Sequence, residues 1–336
     1  MGALYRALGL CAAASSLTLS PVEAAWQCRH ARLIDAVRGE AVTGVEDIAI
    51  DDAAGLAYLA AYDRRAEKLG AIYPLPVTAL EQETLVATPL AASVPIKPHG
   101  IALSRDAMGG HALLVVNRAT SPAAIDRFRI TASGLVREAR LAVPELCHAN
   151  DLALAADGAV LVTNDRAACG GLRQKLEAVL GLATGSLQRW DGAGLRTLRG
   201  RIAFANGIAI MGDEIFVAAT RDTAVYRLDS EGRLKGRIAL PGAPDNLSVG
   251  PDGTLYAAAF PSLFGYARFR ANPKARDAAR SLILAIDPAS GVVERLPLDG
   301  ARLPAGATVA ARLGGWLLVG AAYDWGLGLC REGEAS

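Results

Sequence analysis

The stretch ELCHANDLALAADG runs from Glu145 to Gly158. Its second half alternates apolar Leu152 and Leu154 and then turns at Asp157-Gly158, the signature of a short strand. Its first half sets His148, Asn150 and Asp151 directly ahead of that strand. The strand core, DLAL from Asp151, has five counterparts: DIAI from Asp47, GIAL from Gly100, GIAI from Gly207, NLSV from Asn246 and TVAA from Thr308. Each carries a small residue in its middle and is followed by a turn and a second apolar run, such as GLAYLAAYD, HALLVVNR or EIFVAATRD. Spacings of roughly 40–60 residues are those of an array of sheets. We therefore expect an all-β chain folded as a six-bladed β-propeller, with four short strands per blade. A solenoid would show more uniform repeats, and a pair of sandwiches would show a linker near the middle.

In a propeller the first strand of each blade lines the central channel, and residues just ahead of these strands meet at one mouth. Those residues are Glu46-Asp47, His99-Gly100, Asn150-Asp151, Asn206-Gly207, Asp245-Asn246 and Ala307-Thr308. Five of the six pairs bring a carboxylate, an amide or an imidazole. Asp, Glu and Asn oxygens together suit a hard cation, and calcium accepts six to eight of them in flexible geometry. Zinc would ask for more His and Cys than this ring offers. Any single Asn-Gly or Asp-Asn pair reads as a turn; the recurrence at one phase of the repeat makes the pattern a site.

The rest of the chain sets the context. The 336 residues carry a formal charge of +1 with no basic block, which argues against nucleic acid as a partner. With aromatics at 5%, the core has to be filled by Ala, Leu, Val and Ile. Residues 1–24 read as a secretory signal peptide: Arg6, the apolar run ALGLCAAASSLTL, then small residues Val22 and Ala24 ahead of Ala25. A lipid anchor at Cys11 is the weaker alternative, because Leu10 is a poor small-residue neighbour. Residues 25–336 then form one propeller domain, periplasmic or secreted. Four cysteines remain in it. A Cys28–Cys330 bridge would close nearly the whole chain, a loop for which chain entropy gives roughly 4–5 kcal/mol. Cys147 and Cys169 either pair or stay reduced. Nothing in the sequence sets an oligomeric state.

The motifs GVEDIAI, KPHGIALS, LLVVNR, HANDLALAADG, VTND, FANGIAI and PDNLSVGPDGTLY occur in this order. Together, over about residues 44–330, they resemble the paraoxonase/arylesterase family of six-bladed propellers. The resemblance implies two channel calcium ions. Glu46, Asn150, Asn206, Asp245 and Asn246 would hold the upper, catalytic one. Asp47, Asp151 and the backbone carbonyl of Ile101 would hold the deeper, structural one. Strand alternation would send the neighbouring pairs to different depths. The resemblance also implies an N- to C-terminal disulfide, matching Cys28 and Cys330, and hydrolysis of lactones, aryl esters and in some members organophosphate triesters. The expected substrate is a small apolar ester or lactone, and His99 matches the family's histidine near the upper ion, the candidate general base.

The chain departs from that pattern at Arg118, after VVN, at Arg166, after TND, and at Phe260, after YAAA, where family members carry histidine. A two-histidine relay is then incomplete, which leaves the proton to His99 alone or to Glu46 or Asp245. The two arginines can instead grip a substrate group, with Phe204 and Phe260 as an apolar wall. Two other readings are a non-catalytic, calcium-stabilised propeller that binds a ligand or protein, and a sugar lactonase of related fold. GGLRQKLEAVLGLATG is the clear helix, with Leu172, Leu176, Val179 and Leu180 at helical spacing. It reads as a lid; without interfacial aromatics its membrane contact would be weak. FRANPKARDAAR reads as a basic loop or a second lid helix.

Overall fold

The computed structural model describes residues 26–105 and 110–333; the expected leader, with Cys11, lies outside them. After β1 (Trp26–Asp35) the chain lays down one blade after another. Blade 1 holds β2 (Val45–Asp51), β3 (Leu56–Ala61) and β4 (Ala71–Pro76), and is followed by β5 (Thr84–Ala87). Blade 2 holds β6 (Pro98–Arg105), β7 (His111–Asn117), β8 (Ala124–Thr131) and β9 (Gly134–Leu141). Blade 3 holds β10 (Ala149–Leu154), β11 (Val160–Asn164), β12 (Gly185–Trp190) and β13 (Leu195–Ile202). Blade 4 holds β14 (Ala205–Met211), β15 (Glu214–Ala219), β16 (Ala224–Asp229) and β17 (Leu234–Ala239). Blade 5 holds β18 (Ala243–Val249), β19 (Leu255–Phe260), β20 (Leu282–Ile286) and β21 (Val293–Arg295). Blade 6 holds β22 (Ala307–Leu313), β23 (Trp316–Ala321) and β24 (Leu327–Glu332), and β1 completes it. The six-bladed propeller expected from the repeats is the observed architecture.

The first strands of the blades touch in a ring, β2 to β6 to β10 to β14 to β18 to β22 and back to β2. Small residues make that ring possible. Gly100 and Gly207 sit where a Cβ would stand 2.5 Å from the Cα of Asp151 and of Asn246 in the next blade. Between blades the core is layered. Leu161 and Leu187 of blade 3 pack with Ile208, Val217 and Tyr226 of blade 4. Phe216 and Val225 pack in turn with Leu255 and Leu284 of blade 5. Each large side chain buried this way contributes about 1.5–3 kcal/mol.

β1 closes the ring. Its first half runs antiparallel to β24, with Cys28 opposite Cys330, and the two are bonded across a sequence separation of 302. Its second half pairs in parallel with β5, so the same strand binds the last blade to the first. Cys147 and Cys169, left open by the sequence, form a second disulfide that ties the approach to β10 to the loop ahead of α1.

Two helices rise beside the channel mouth, α1 (Gly171–Leu180) and α2 (Leu263–Ala271). In α1 the expected helix forms, but its apolar stripe does not pack inward: Leu172, Leu176, Val179 and Leu180 are 46–82% exposed. The helix is anchored instead by Glu177, which is buried and accepts from the Ala168 amide and the Thr184 hydroxyl, each at 3.0 Å. The second helix lies earlier than FRANPKARDAAR suggested. It starts at Leu263, where the Ser262 hydroxyl caps the Gly265 amide at 3.1 Å. The basic segment is its last turn and a short 3₁₀ stretch, Pro273–Ala278.

Candidate active site

Each first strand carries a bulge at the phase singled out in the sequence. In β10, Asn150 and Asp151 together face one residue of β11, since Ala149 pairs with Asn164 and Leu152 with Val162. The same irregularity falls at His99-Gly100, Asn206-Gly207 and Asp245-Asn246, and between Val45 and Asp47 and between Ala307 and Thr308-Val309. A bulge breaks the alternation and re-aims side chains. It is the local device that turns Glu46, His99, Asn150, Asn206 and Asp245 to one place; plain strand alternation, the expectation from sequence, is not.

The bulges open on a cavity of about 1010 Å³. Glu46, His99, Asn150, Asn206 and Asp245 line it, and each is buried. Arg118, Arg166, Phe204 and Phe260 line it as well, and α1 and α2 contribute Val179 and Phe264. Asn246, Asp47, Asp151 and Ile101 are buried but do not line the cavity. The two aspartates staple neighbouring blades. Asp47 accepts from the Ile48 amide at 2.8 Å and the Ile101 amide of blade 2 at 2.7 Å. Asp151 accepts from the Leu152 amide at 2.7 Å and the Ile208 amide of blade 4 at 2.9 Å.

The floor has more oxygen than hydrogen-bond donors. Asn246 gives its amide N–H to the Glu46 carbonyl at 2.9 Å, and Asn206 gives its own to Thr220 Oγ1 at 3.1 Å. The amide oxygens of Asn150, Asn206 and Asn246 are buried with no donor among the described residues. The carboxylates crowd one another. Burial and the Glu46 charge push Asp47 up to about 7 and push Asp245 well above the usual carboxylate range. Burial and Asp47 do the same to Asp151. Buried amide oxygens without donors beside mutually repelling carboxylates are what a hard cation satisfies, so the residues present fit calcium. Among the described residues no three His, Cys, Asp or Glu side chains form a metal site alone; the donors that gather here are mixed amide and carboxylate oxygens.

Arg64 escaped the sequence reading. It is buried, lies over the Tyr62 ring at 4.0 Å and gives Nη1 to the Gly44 carbonyl at 3.2 Å. Its Nη2 is 2.8 Å from His99 Nδ1 and 3.7 Å from Glu46 Oε2, while His99 Nδ1 is 2.9 Å from the same Glu46 oxygen. A guanidinium only donates. A carboxylate only accepts, so Nδ1, lying between the two, either accepts from Arg64 or donates to Glu46, according to the tautomer. Burial and the Arg118 charge, against the pull of Glu46, hold His99 down at about 3, so the ring is neutral at pH 7. Burial alone would raise the Glu46 carboxyl; His99, Arg64 and Arg118 outweigh it and hold it at about 2. A signal for Arg64 did exist. Arginine follows the second strand of each of the first four blades: Arg64, Arg118, Arg166 and Arg221.

The sequence profile of the arylesterase family matches residues 45–330. The chain belongs to the arylesterase family. The fold of this arylesterase-family chain is shared with solved structures of low sequence identity. A gluconolactonase from Xanthomonas campestris is 17% identical with a TM-score of 0.57, covering 91% of this chain and 97% of that one. A luciferin-regenerating enzyme is 14% identical with a TM-score of 0.56, covering 93% and 98%. The calcium-binding protein regucalcin from Agrobacterium tumefaciens is 16% identical with a TM-score of 0.51, covering 90% and 97%. At such identities the likeness is one of fold alone. A glucosamine-6-phosphate deaminase from Beutenbergia cavernae is 41% identical over 103 residues, 30% of this chain. The chain spans 37% of the length of that curated relative, too little to define a shared activity.

Proposed function

We propose that this arylesterase-family propeller is a calcium-dependent hydrolase of lactones and aryl esters, with organophosphate triesters as secondary substrates. The observation that carries the reading is the set of donorless amide oxygens of Asn150, Asn206 and Asn246 beside the carboxylates of the cavity floor. Glu46, Asn150, Asn206, Asp245 and Asn246 would hold a catalytic ion, and Asp47, Asp151 and the Ile101 carbonyl a structural one. Bound on the floor, calcium would supply Lewis acidity toward the ester carbonyl and the developing oxyanion.

The chain's own residues do the rest. Phe204 and Phe260 supply apolar surface to the cavity wall. Neutral His99 serves as base through Nε2 only as the tautomer that donates Nδ1–H to Glu46 Oε2, which requires Arg64 to turn from the ring to that carboxylate. In the tautomer that accepts from Arg64, His99 instead presents Nε2–H, suited to holding a substrate oxygen, and the proton of the attacking water falls to Glu46 or Asp245.

Two disulfides support maturation in an oxidising compartment, and with the leader expected over residues 1–24 they favour the periplasm or the exterior. No helix among the described residues is long and apolar enough to cross a membrane. The decisive experiment is hydrolysis of phenyl acetate and of an acyl-homoserine lactone with calcium, after chelation, and in Asn206→Ala and His99→Gln. Turnover that disappears on chelation and in Asn206→Ala is the expected result. Turnover indifferent to calcium would refute the metal's role, and turnover of neither substrate would refute the activity.

A further inference from the structure

The arginines that follow the second strands share one cavity, but they are placed differently within it. Arg64 lies at the floor against His99. Arg118 gives Nη2 to the Ala149 carbonyl at 3.0 Å. Arg166 and Arg221 stand together on the wall, their guanidinium carbons 5.4 and 6.0 Å from the centre of the Phe204 ring. They are close enough that Arg166, together with burial, lowers the Arg221 pKa.

Negative charge at this wall is scarce. Asp165 accepts from Arg166 Nε at 2.7 Å and its charge also acts on Arg221, so the two guanidiniums share one buried carboxylate. Glu67, another acid lining the cavity, is held by Lys97 Nζ at 2.7 Å. Phe204 itself has φ of +64°, a conformation that a bulky side chain adopts only under constraint. The constraint is visible. The Thr220 amide donates to the Phe204 carbonyl at 3.1 Å, and the Arg221 amide to the Ala203 carbonyl at 3.0 Å. The backbone is thereby bent to hold an aromatic ring beside two like charges at a cavity wall, an arrangement whose use is to meet a planar anion.

We propose that Arg166, Arg221 and Phe204 form an anion subsite that takes the carboxylate of the substrate, so that the preferred esters or lactones are carboxylate-bearing rather than neutral. The substrate class rests on the hydrolase reading of the floor; the subsite itself does not. Hydrolysis adds water across the ester and releases an acid and an alcohol, and the carboxylate held by the arginines takes no part in that exchange.

The test compares phenyl acetate with two charged analogues, 4-acetoxybenzoate and phenyl hydrogen succinate, and separately measures calorimetric binding of benzoate against its neutral isostere benzamide. In the wild type, kcat/KM for at least one charged ester should exceed that of phenyl acetate tenfold or more. In Arg166→Gln/Arg221→Gln the ratio should fall below threefold, chiefly through KM. Benzoate should bind at least tenfold tighter than benzamide, the more so at low salt, and lose that margin in the double variant. Equal binding of the two by wild type would overturn the subsite, whether or not the variant folds. So would a benzoate margin that survives in a folded double variant. A benzoate margin lost in the variant, with no ester turned over at all, would uphold the subsite and refute the hydrolase reading.

Discussion

Replacing Gly207 by alanine tests how the site is held together. The new Cβ would lie 2.5 Å from Asn246 Cα, 2.6 Å from the Asp245 carbonyl oxygen and 2.6 Å from the Leu247 nitrogen. Carbon contacts settle near 3.5–4.0 Å, so β14 and β18 must part by about 1 Å. All three clashing atoms are backbone, and no rotamer change relieves them. Overpacking of this kind costs about 1–3 kcal/mol, and a clash against backbone belongs at the upper end. With an unfolding entropy of about 2.1 cal/mol/K per residue, 3 kcal/mol lowers the melting temperature of a domain this size by about 5 °C. The same displacement separates Asn206 from Asp245 and Asn246, and misplacement by about 1 Å costs on the order of 100-fold in turnover. Thermal melts and phenyl acetate kinetics measure both, with Gly236→Ala on β17 as control, where a Cβ meets nothing within 4 Å. A Gly207→Ala protein that melts within 1 °C of wild type, as an order-of-magnitude margin, and keeps half its activity would refute the close-approach argument.

The disulfides give a ranking. Serine at both Cys28 and Cys330 opens a loop of sequence separation 302, and at both Cys147 and Cys169 one of 22. Chain entropy predicts a larger loss for the first pair, toward the upper end of about 2–5 kcal/mol, and the reverse order in melts would contradict it. Acid stability should depend on Asp35. Burial pulls its carboxyl up, but the amides of Arg38 and Val37 and the Tyr73 hydroxyl outweigh it and hold it below the usual 3.8. A depressed folded-state pKa contributes stability that is present above 3.8 and is lost as pH falls through the lower folded value. Asp35→Asn should therefore flatten the acid limb of a stability-against-pH curve below about pH 4, and an unchanged limb would count against the assignment.

The repeat of DLAL and its counterparts carried the architecture because a small residue in the middle of a first strand answers to one physical demand, six strands crowded round an axis. The same phase named the residues that line the cavity floor. What it concealed was the means. A bulge leaves no composition signal when the inserted residue is itself polar, so Asn150-Asp151 looked like the start of an ordinary strand. Arg64 and Arg221 each resemble a solvated turn arginine when taken alone; only comparison of the second strands shows that an arginine follows closely on the end of each of the first four. The usual rule turns the apolar stripe of a helix such as α1 inward. Glu177 overrides it, since its carboxylate satisfies a loop amide and a hydroxyl that the leucines cannot.

The strand that joins both ends of the chain has a consequence for how the molecule comes apart. A linear array of repeats frays from its terminal units, where each end unit has one neighbour. Here β1 lies in blade 6 and also binds β5 beside blade 1, so every blade has two neighbours and none is terminal. Loosening any blade opens two interfaces at once. Local opening is therefore costly everywhere round the circle, and hydrogen exchange should report a near-uniform plateau across the six first strands, without the gradient toward the ends that an open row of the same blades would show.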